Sequence, residues 1–443
     1  MCSATDQPRG LILAASSSNA GKTTLSLGLQ RLLVRRGLAI APAKCGPDYI
    51  DPAFHAVASG RASINLDPWA MTTEDLTARA ATQAQTADLL FVEGVMGLFD
   101  GAVNGQGSTA TLAQALGLPV TLVLDVKGQA QTAAAIAKGI SSYDPNVTIG
   151  GVLLNRVGSA AHEHLLREAF ASVDLPIVGA VRGSDQLQLP SRHLGLVQAG
   201  EHDALDDMID RIADHMAPDV DLDRILGIAS EVTAKQEGAA PLQRLAPLGQ
   251  RIAIARDEAF SFIYPHLLKD WQDQGAELSF FSPLADEVPA EDINAIYLPG
   301  GYPELHLERL ATAHAFRDAM QTAAAKSVLI FGECGGYMTL GRSIISADGV
   351  EVPMLGLLPI TTSFADTKLS LGYRKLSHRS ALPWGGELAA HEFHYATILA
   401  MDEAAPLFAA RTAADRELPS MGQRVGSVHG SFAHIIAPLK TTY

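Results

Sequence analysis

The segment Leu11-Ile12-Leu13-Ala14-Ala15-Ser16-Ser17-Ser18-Asn19-Ala20-Gly21-Lys22-Thr23-Thr24 constrains the fold of this chain more than any other. An apolar run leads into a turn of small residues, and an amphipathic stretch then continues to Arg36. The turn matches G-x-x-x-x-G-K-[ST] except that Ser16 stands at the first glycine. Backbone N–H groups at such a strand-to-helix turn form an anion cradle, which the helix dipole reinforces. Ser18, Asn19, Ala20, Gly21, Lys22, Thr23 and Thr24 are therefore the expected ATP contacts. Lys22 would reach the β- and γ-phosphates and the Thr23 hydroxyl would bind Mg2+. A turn that merely caps a helix is the alternative, but strand, loop and helix agree on nucleotide binding. Ser16, nearly as small as glycine, is expected to alter the loop without abolishing binding.

From this start, apolar strand candidates alternate with Ala-rich stretches of helical period. The strands are Leu11–Ala15, Leu38–Lys44, Asp88–Glu93, Val120–Asp125, Thr148–Asn155 and Ile177–Ala180. Thr23–Arg36, Glu74–Gln85 and Ser159–Ser172 are helix candidates between them. Strands apolar throughout suit a parallel sheet covered on both faces, hence a doubly wound α/β domain. Alternation lapses after about residue 217, and Ile228–Gln250 mixes Pro, Gly, Gln and charge as linkers do. A second α/β series restarts at Arg251–Ala255 and runs through Leu278–Phe281, Ala295–Pro299 and Val328–Gly332. The expected organisation is a domain over 1–235, a linker over 236–248 and a second doubly wound α/β domain over 249–443.

Composition narrows the partners. Thirty-three Lys and Arg against 48 Asp and Glu leave a formal charge of −15, without the clustered basic residues that a nucleic-acid backbone requires. No run approaches the roughly 18 consecutive apolar residues of a membrane span. The N-terminal apolar run has no basic region ahead of it and leads into a phosphate loop, not a cleavage site. Cys2, Cys45 and Cys334 form neither a disulfide framework nor a zinc motif, which suits a reducing cytoplasm. A polycarboxylic substrate would need locally positive ground on so acidic a chain.

Two loops at the ends of candidate strands carry carboxylates, where open α/β sheets gather their ligands. Lys44-Cys45-Gly46-Pro47-Asp48-Tyr49-Ile50-Asp51-Pro52 closes the second strand, and Val92-Glu93-Gly94-Val95-Met96-Gly97-Leu98-Phe99-Asp100-Gly101 closes the third. Asp48, Asp51, Glu93 and Asp100 would converge beside the phosphate loop, and one or two suffice for Mg2+. Asp51 and Asp100 are the two most readily explained as turn caps.

In the second half, Gly332-Glu333-Cys334-Gly335-Gly336 follows an apolar strand and precedes a helical stretch. This G-x-C-x-G pattern has the form of a nucleophile elbow, with a helix N-terminus expected to lower the thiol pKa. His434 is the expected basic partner of Cys334, with His429, His391 and His394 as competitors. His391-x-x-His394 could also pair on a metal, although no third ligand stands near it. His162 and His164 lie on a polar helix and are expected to be solvated. Gly300 and Gly301, in a turn after a strand, could offer N–H groups to an oxyanion.

Together these motifs resemble the cobyrinic or hydrogenobyrinic acid a,c-diamide synthases of the corrinoid (vitamin B12) pathway. The resemblance is carried by SSSNAGKTT (Ser16–Thr24), KCGPDYIDP (Lys44–Pro52), VEGVMGLFDG (Val92–Gly101), LPGGYPE (Leu298–Glu304), FGECGGYM (Phe331–Met338) and HEFHY (His391–Tyr395), in family order over nearly the whole chain. It implies a dethiobiotin-synthetase-like P-loop domain followed by a class I glutamine amidotransferase-like domain. Cys334, activated by His434, would release ammonia from glutamine. With ATP and Mg2+, the first domain would phosphorylate a carboxylate of a corrin-type polycarboxylic acid, and ammonia would displace the phosphate, twice. By the same match Thr23, Asp48 and Glu93 would serve the metal, and Lys44, Asp48, Asp51, Glu93 and Asp100 the synthetase site. Class I amidotransferases ordinarily place a Glu two residues after the histidine. Here Ile436 stands there, so a Cys–His dyad and a slow or leaky glutaminase are expected.

The rival within this chemistry is amidation of Ni-sirohydrochlorin. From another class comes a nucleotide-switched binding protein with a degenerate thiol domain. A homodimer is one candidate assembly.

Overall fold

The computed structural model describes residues 8–103, 105–184, 191–192, 195–196, 198, 200, 204–233, 242–402 and 404–439. The chain divides into two compact units, 1–242 and 243–443. Residues 236–241 of the expected linker, and Cys2, lie outside the described residues.

In the first unit the strands are β1 (Arg9–Ala15), β2 (Ile40–Cys45), β3 (Ile64–Leu66), β4 (Leu89–Gly97), β5 (Val120–Asp125), β6 (Ile149–Val157) and β7 (Ile177–Arg182). They lie in the order β3-β2-β4-β1-β5-β6-β7, all parallel, and Ser230–Glu231 adds an antiparallel pair to β1. Helices α1 (Lys22–Arg35) and α2 (Asp51–Ser59) follow β1 and β2. Leu11, Leu13, Phe91, Val123 and Leu153 of the sheet pack against Leu25, Leu29 and Leu33 of α1 in one buried core. The chain runs from β1 to β2 on one side of the sheet centre and from β4 to β5 across it. The C-terminal ends of β1, β2 and β4 thus share one edge of the topological switch point, where such sheets bind ligands.

The outer face of α1 is closed by helix Leu205–Met216, whose Ile212 and Met216 are buried. Arg31 meets Asp210 at 2.8 Å and Arg35 meets Asp214 at 2.6 Å along this seam.

The second unit begins as read from sequence. Glu277–Phe281, Arg251–Ala255, Ala295–Leu298, Leu329–Glu333 and Val428–Ser431 form a parallel series in that order. Beyond it the same ten-stranded sheet continues antiparallel through Glu417–Val425, Ala405–Thr412, Ser370–Ser377, Glu387–His394 and Ala433–Pro438. The half that sequence reading did not resolve has many half-exposed positions, so its strands lack the uniformly apolar runs of the parallel half. Its last strand starts at Ala433, two residues after Ser431 in the parallel half. The far edge of the sheet therefore returns to the end of Leu329–Glu333. A separate four-stranded sheet carries Glu351–Pro353, Ser343–Ile345, Ile360–Ser363 and Thr397–Met401.

Among the described residues, no helix is long and apolar enough to cross a membrane.

Candidate functional sites

The loop after β1 has the backbone that an anion cradle requires. Asn19 (φ 64°) and Gly21 (φ 87°) take left-handed conformations. A Cβ on Gly21 would stand 2.3 Å from the Asn155 amide nitrogen, which itself donates to the Ala20 carbonyl at 2.8 Å. Ser16 keeps a negative φ and donates its N–H to Val123 O at 3.1 Å, so that position does not need glycine. Behind the loop lies a cavity of about 540 Å³ lined by Gly21, Thr24, Lys127, Asn155, Arg156 and Gly158, among others. That volume lies in the range of pockets for small ligands. Asn155 and Arg156, at the end of β6, escaped the sequence reading because an ordinary Leu-Asn-Arg run carries no motif.

Four side chains close on one carboxylate at the ends of β2 and β4. Glu93 is completely buried. Its Oε1 accepts from Thr23 Oγ1 at 2.7 Å, Lys44 Nζ at 2.9 Å and Lys22 Nζ at 3.2 Å. Its Oε2 lies 2.7 Å from His55 Nε2. Asp51 pairs with Lys44, and its Oδ2 lies 3.4 Å from Thr23 Oγ1. Asp51 and His55 are four residues apart on α2, hence on one helical face. His55 was not foreseen. Its only sequence signal is that i, i+4 spacing from Asp51.

Burial would raise the Glu93 carboxyl, but Lys44, Lys22 and His55 outweigh it and hold Glu93 well below the usual carboxylate range. For Lys44, burial works downward and the carboxylates of Asp51 and Glu93 win, raising its pKa. Burial, with the neighbouring Lys44 charge, leaves Lys22 lowered.

The other loop carboxylates serve the backbone. Asp48 Oδ1 accepts from the N–H groups of Ile50 at 2.8 Å and Asp51 at 2.9 Å, starting α2, and burial beside Asp51 raises its pKa. Asp100 Oδ2 accepts from Gly97 N–H at 3.1 Å. Turn capping thus falls to Asp100 as expected and to Asp48, while Asp51 turns into the charged cluster. The donor set of Thr23, Asp51 and Glu93 is a hydroxyl and two carboxylates, the hard oxygens that Mg2+ prefers alongside water and phosphate. No group of three or more His, Cys, Asp or Glu side chains suited to a metal occurs among the described residues. The chemistry fits an ion held mainly by nucleotide and water.

In the second unit, Cys334 sits at φ 47° and ψ −105°, between strand Leu329–Glu333 and helix Gly335–Leu340. This strained backbone is what a nucleophile elbow demands. A Cβ on Gly336 would stand 2.0 Å from Leu298 O, so only glycine lets the elbow pass the preceding strand. The Gly300-Gly301 turn adjoins it, since Gly301 N is 2.9 Å from where a Gly335 Cβ would be. Around Gly300, a Cβ would approach His434 Cε1 at 2.3 Å and Cys334 Cβ at 3.3 Å. Histidine, thiol and glycine turn therefore share one point.

The thiol corrects one expectation. Its pKa is raised, not lowered, because Cys334 is buried and Glu304, Glu333 and Glu392 add negative charge. The helix behind it spans only six residues, too little to offset that burial. His434 is pushed down to about 3 by burial and by the charges of His391 and His394. Burial lifts Glu333 to about 8, against hydrogen bonds from Ile435 N–H and Tyr297 OH.

The competing histidines have other partners. His391 faces His434 across the antiparallel pair and packs edge-on to Tyr373. His394 stacks on Phe432, with Nδ1 2.9 Å from Ala396 O and Nε2 2.9 Å from Glu392 Oε1. With both ring nitrogens engaged, His394 has none left for a metal. The buried His429 lies 3.1 Å from Ser427 O through Nδ1. His162 is not simply solvated: Nδ1 accepts from Gly158 N–H at 3.0 Å and Nε2 lies 2.5 Å from Gln129 O. His164 is exposed and meets Glu168 at 3.4 Å.

Residues 11–197 match the CobQ/CobB/MinD/ParA nucleotide binding domain, and residues 251–440 the CobB/CobQ-like glutamine amidotransferase domain. A hydrogenobyrinate a,c-diamide synthase of Brucella abortus is 52% identical over 429 residues, 97% of this chain and 98% of its own. One from Rhizobium meliloti is 52% identical over 96% of this chain and 99% of its own, and one from Mesorhizobium japonicum 47% identical over 97% and 98%. Phosphate-loop unit, thiol unit and full-length similarity agree: the chain belongs to the hydrogenobyrinate a,c-diamide synthase family.

Proposed function

We propose that this enzyme amidates the a and c carboxylates of hydrogenobyrinic acid or its cobalt form, cobyrinic acid, using ATP and glutamine. The buried Lys22–Glu93–Lys44–Asp51 cluster at the mouth of a phosphate loop carries the synthetase half of this reading. A carboxylate is a poor electrophile until its oxygen becomes part of a phosphate leaving group. Residues 1–235 would hold ATP through the N–H groups of Ser18–Thr24, with Lys22 on the β- and γ-phosphates. Thr23 and Glu93, with Asp48 or Asp51, would hold Mg2+, which when bound neutralises phosphate charge. Lys44 and Asp51 would orient the substrate carboxylate, while Asp48 and Asp100 shape the loops around it. The γ-phosphoryl group passes to a carboxylate oxygen and ADP leaves. Ammonia then attacks the acyl carbon, phosphate departs, and the amide remains.

Residues 249–443, joined through 236–248, would supply the ammonia. The Cys334 proton passes to His434, and the thiolate adds to the glutamine amide, whose oxyanion Gly300 and Gly301 N–H groups would meet. Ammonia leaves with that proton. Water then hydrolyses the thioester to glutamate and restores the thiol. We assign the reaction to the cytoplasm, where ATP and glutamine are supplied and the thiol stays reduced.

The deciding experiment offers hydrogenobyrinic, cobyrinic and Ni-sirohydrochlorin substrates with ATP and glutamine, and follows ADP release and product mass. A gain of two amides on a corrin acid is expected. Turnover of Ni-sirohydrochlorin alone would move the assignment to that tetrapyrrole, and ADP release without any amide would leave only a nucleotide-switched binding protein.

A further inference from the structure

We propose that Glu333, the residue immediately before the thiol, is the positioning carboxylate of His434. It would do the work that a glutamate two residues after the histidine does in a Cys–His–Glu triad. This inference rests on the glutaminase reading of Cys334.

The usual place for that acid is closed. Ile436 is buried, and its carbonyl accepts from His266 Nε2 at 2.9 Å. Glu333 reaches the imidazole from the end of the strand before the thiol, with Oε2 3.7 Å from His434 Nδ1 and both side chains almost wholly buried. The Cε1–Nε2 edge of the ring and the backbone side of Cys334 both border the Gly300 position. A Cβ on Gly300 would stand 3.1 Å from His434 Nε2, 2.3 Å from Cε1 and 3.3 Å from Cys334 Cβ. A carboxylate beside Nδ1, with the cysteine near the Cε1–Nε2 edge, is the placement from which a triad acid orients its histidine.

The carboxyl is itself held in place. Tyr297 OH donates to Oε2 at 2.7 Å, and Ile435 N–H donates to Oε1 at 3.0 Å. Strand Ala433–Pro438 delivers both Ile435 and His434, so one backbone fixes the acid and the base together. The other titratable groups around the pair are Cys334, His391, His394, Glu304 and Glu392. A purely structural role, tying Tyr297 to Ile435, would be served as well by glutamine. A carboxyl raised to about 8 by burial is an expensive substitute unless its charge is used.

Its use lies in the proton transfer. His434 is neutral at rest and becomes an imidazolium only while it holds the thiol proton. An ionised Glu333 at Nδ1 stabilises that state and fixes the tautomer that leaves Nε2 free to accept. Glutaminase activity should then rise with pH as Glu333 ionises near 8.

The test uses the full enzyme with ATP, corrin acid and either glutamine or ammonium. Glu333→Gln should lower the glutamine-dependent kcat about 10- to 100-fold and abolish the rising limb near pH 8. The KM for glutamine and ammonium-driven amidation should stay within about twofold. Tyr297→Phe, which removes one donor to the carboxyl, should move the limb to higher pH and keep the plateau rate. An unchanged rate and limb in Glu333→Gln would overturn the proposal. So would a loss of rate with the limb still at its wild-type pH, or in step with the glutamine KM, since either marks structural support alone. Cys334→Ala separates the two levels: if it still amidates from glutamine, the glutaminase reading itself fails.

Discussion

Burial has opposite consequences in the two units. At the end of β4, Glu93 is enclosed with Lys22, Lys44 and His55; Glu93 and Lys44 hold each other ionised, while burial leaves Lys22 lowered. Beside Cys334, burial encloses groups that lack an opposite charge, and each moves toward its neutral form: the thiol up, Glu333 up to about 8, His434 down to about 3. Low dielectric strengthens a compensated cluster and neutralises an uncompensated one. The first arrangement suits phosphoryl transfer, where fixed charges must meet a polyanion. The second keeps the thiol protonated at rest.

The largest effect expected from this contrast separates the two chemistries. Cys334→Ala should cut glutamine-dependent amidation by at least about a thousandfold and leave ammonium-dependent amidation intact. Loss of both in a folded protein would mean that the sites are not chemically independent.

Next in size is the charged cluster. Lys44→Met leaves Glu93 and Asp51 buried with one fewer cation, and breaking a buried pair costs about 3–5 kcal/mol. A lowered unfolding midpoint in urea should accompany loss of amidation. A variant as stable as wild type would show that the carboxylates reach water or a proton more readily than their burial implies.

The neutral trio makes a smaller, pH-dependent prediction. Glu333 sits above its ordinary 4.5, so its contribution to stability is complete below 4.5 and is lost as pH rises through about 8. His434 sits below its ordinary 6.5, so its contribution is present above 6.5 and is lost as pH falls toward about 3. Thermal unfolding should therefore show Glu333→Gln losing less stability than wild type between about pH 5 and 9. Parallel curves would indicate that Glu333 titrates near its unfolded value.

Smallest of all is the seam between α1 and Leu205–Met216. Arg35 is over a third exposed and its partner Asp214 more so, and exposed pairs contribute about 0–1 kcal/mol. Arg35→Ala should shift stability within that range and leave both activities unchanged. A larger loss would make the seam a support for the phosphate loop.

Contiguous features were legible in the sequence. The phosphate loop, the parallel strands and the G-x-C-x-G elbow each depend on local periodicity and on small residues at tight turns, and local rules read both. Ser16 was recognised as the departure, but only its negative φ explains why glycine is not needed there. That Asp48 caps α2 while Asp51 turns toward Lys44 is not legible in spacing, which cannot tell a carboxylate that caps its own helix from one that turns toward a lysine. His55, Asn155 and Glu333 were missed for a related reason. Each gains its partner from another strand, helix or loop, 38 residues away for His55 and Glu93 and 135 for Asn155 and Ala20.

The sequence by itself determined two α/β units, a phosphate loop and a strained thiol, since these follow from short-range pattern and backbone sterics. Tertiary structure alone decided the charge state of each site. That state depends on which groups burial brings within a few ångströms, and a returning strand that sets His434 against Glu333 leaves no trace in local pattern.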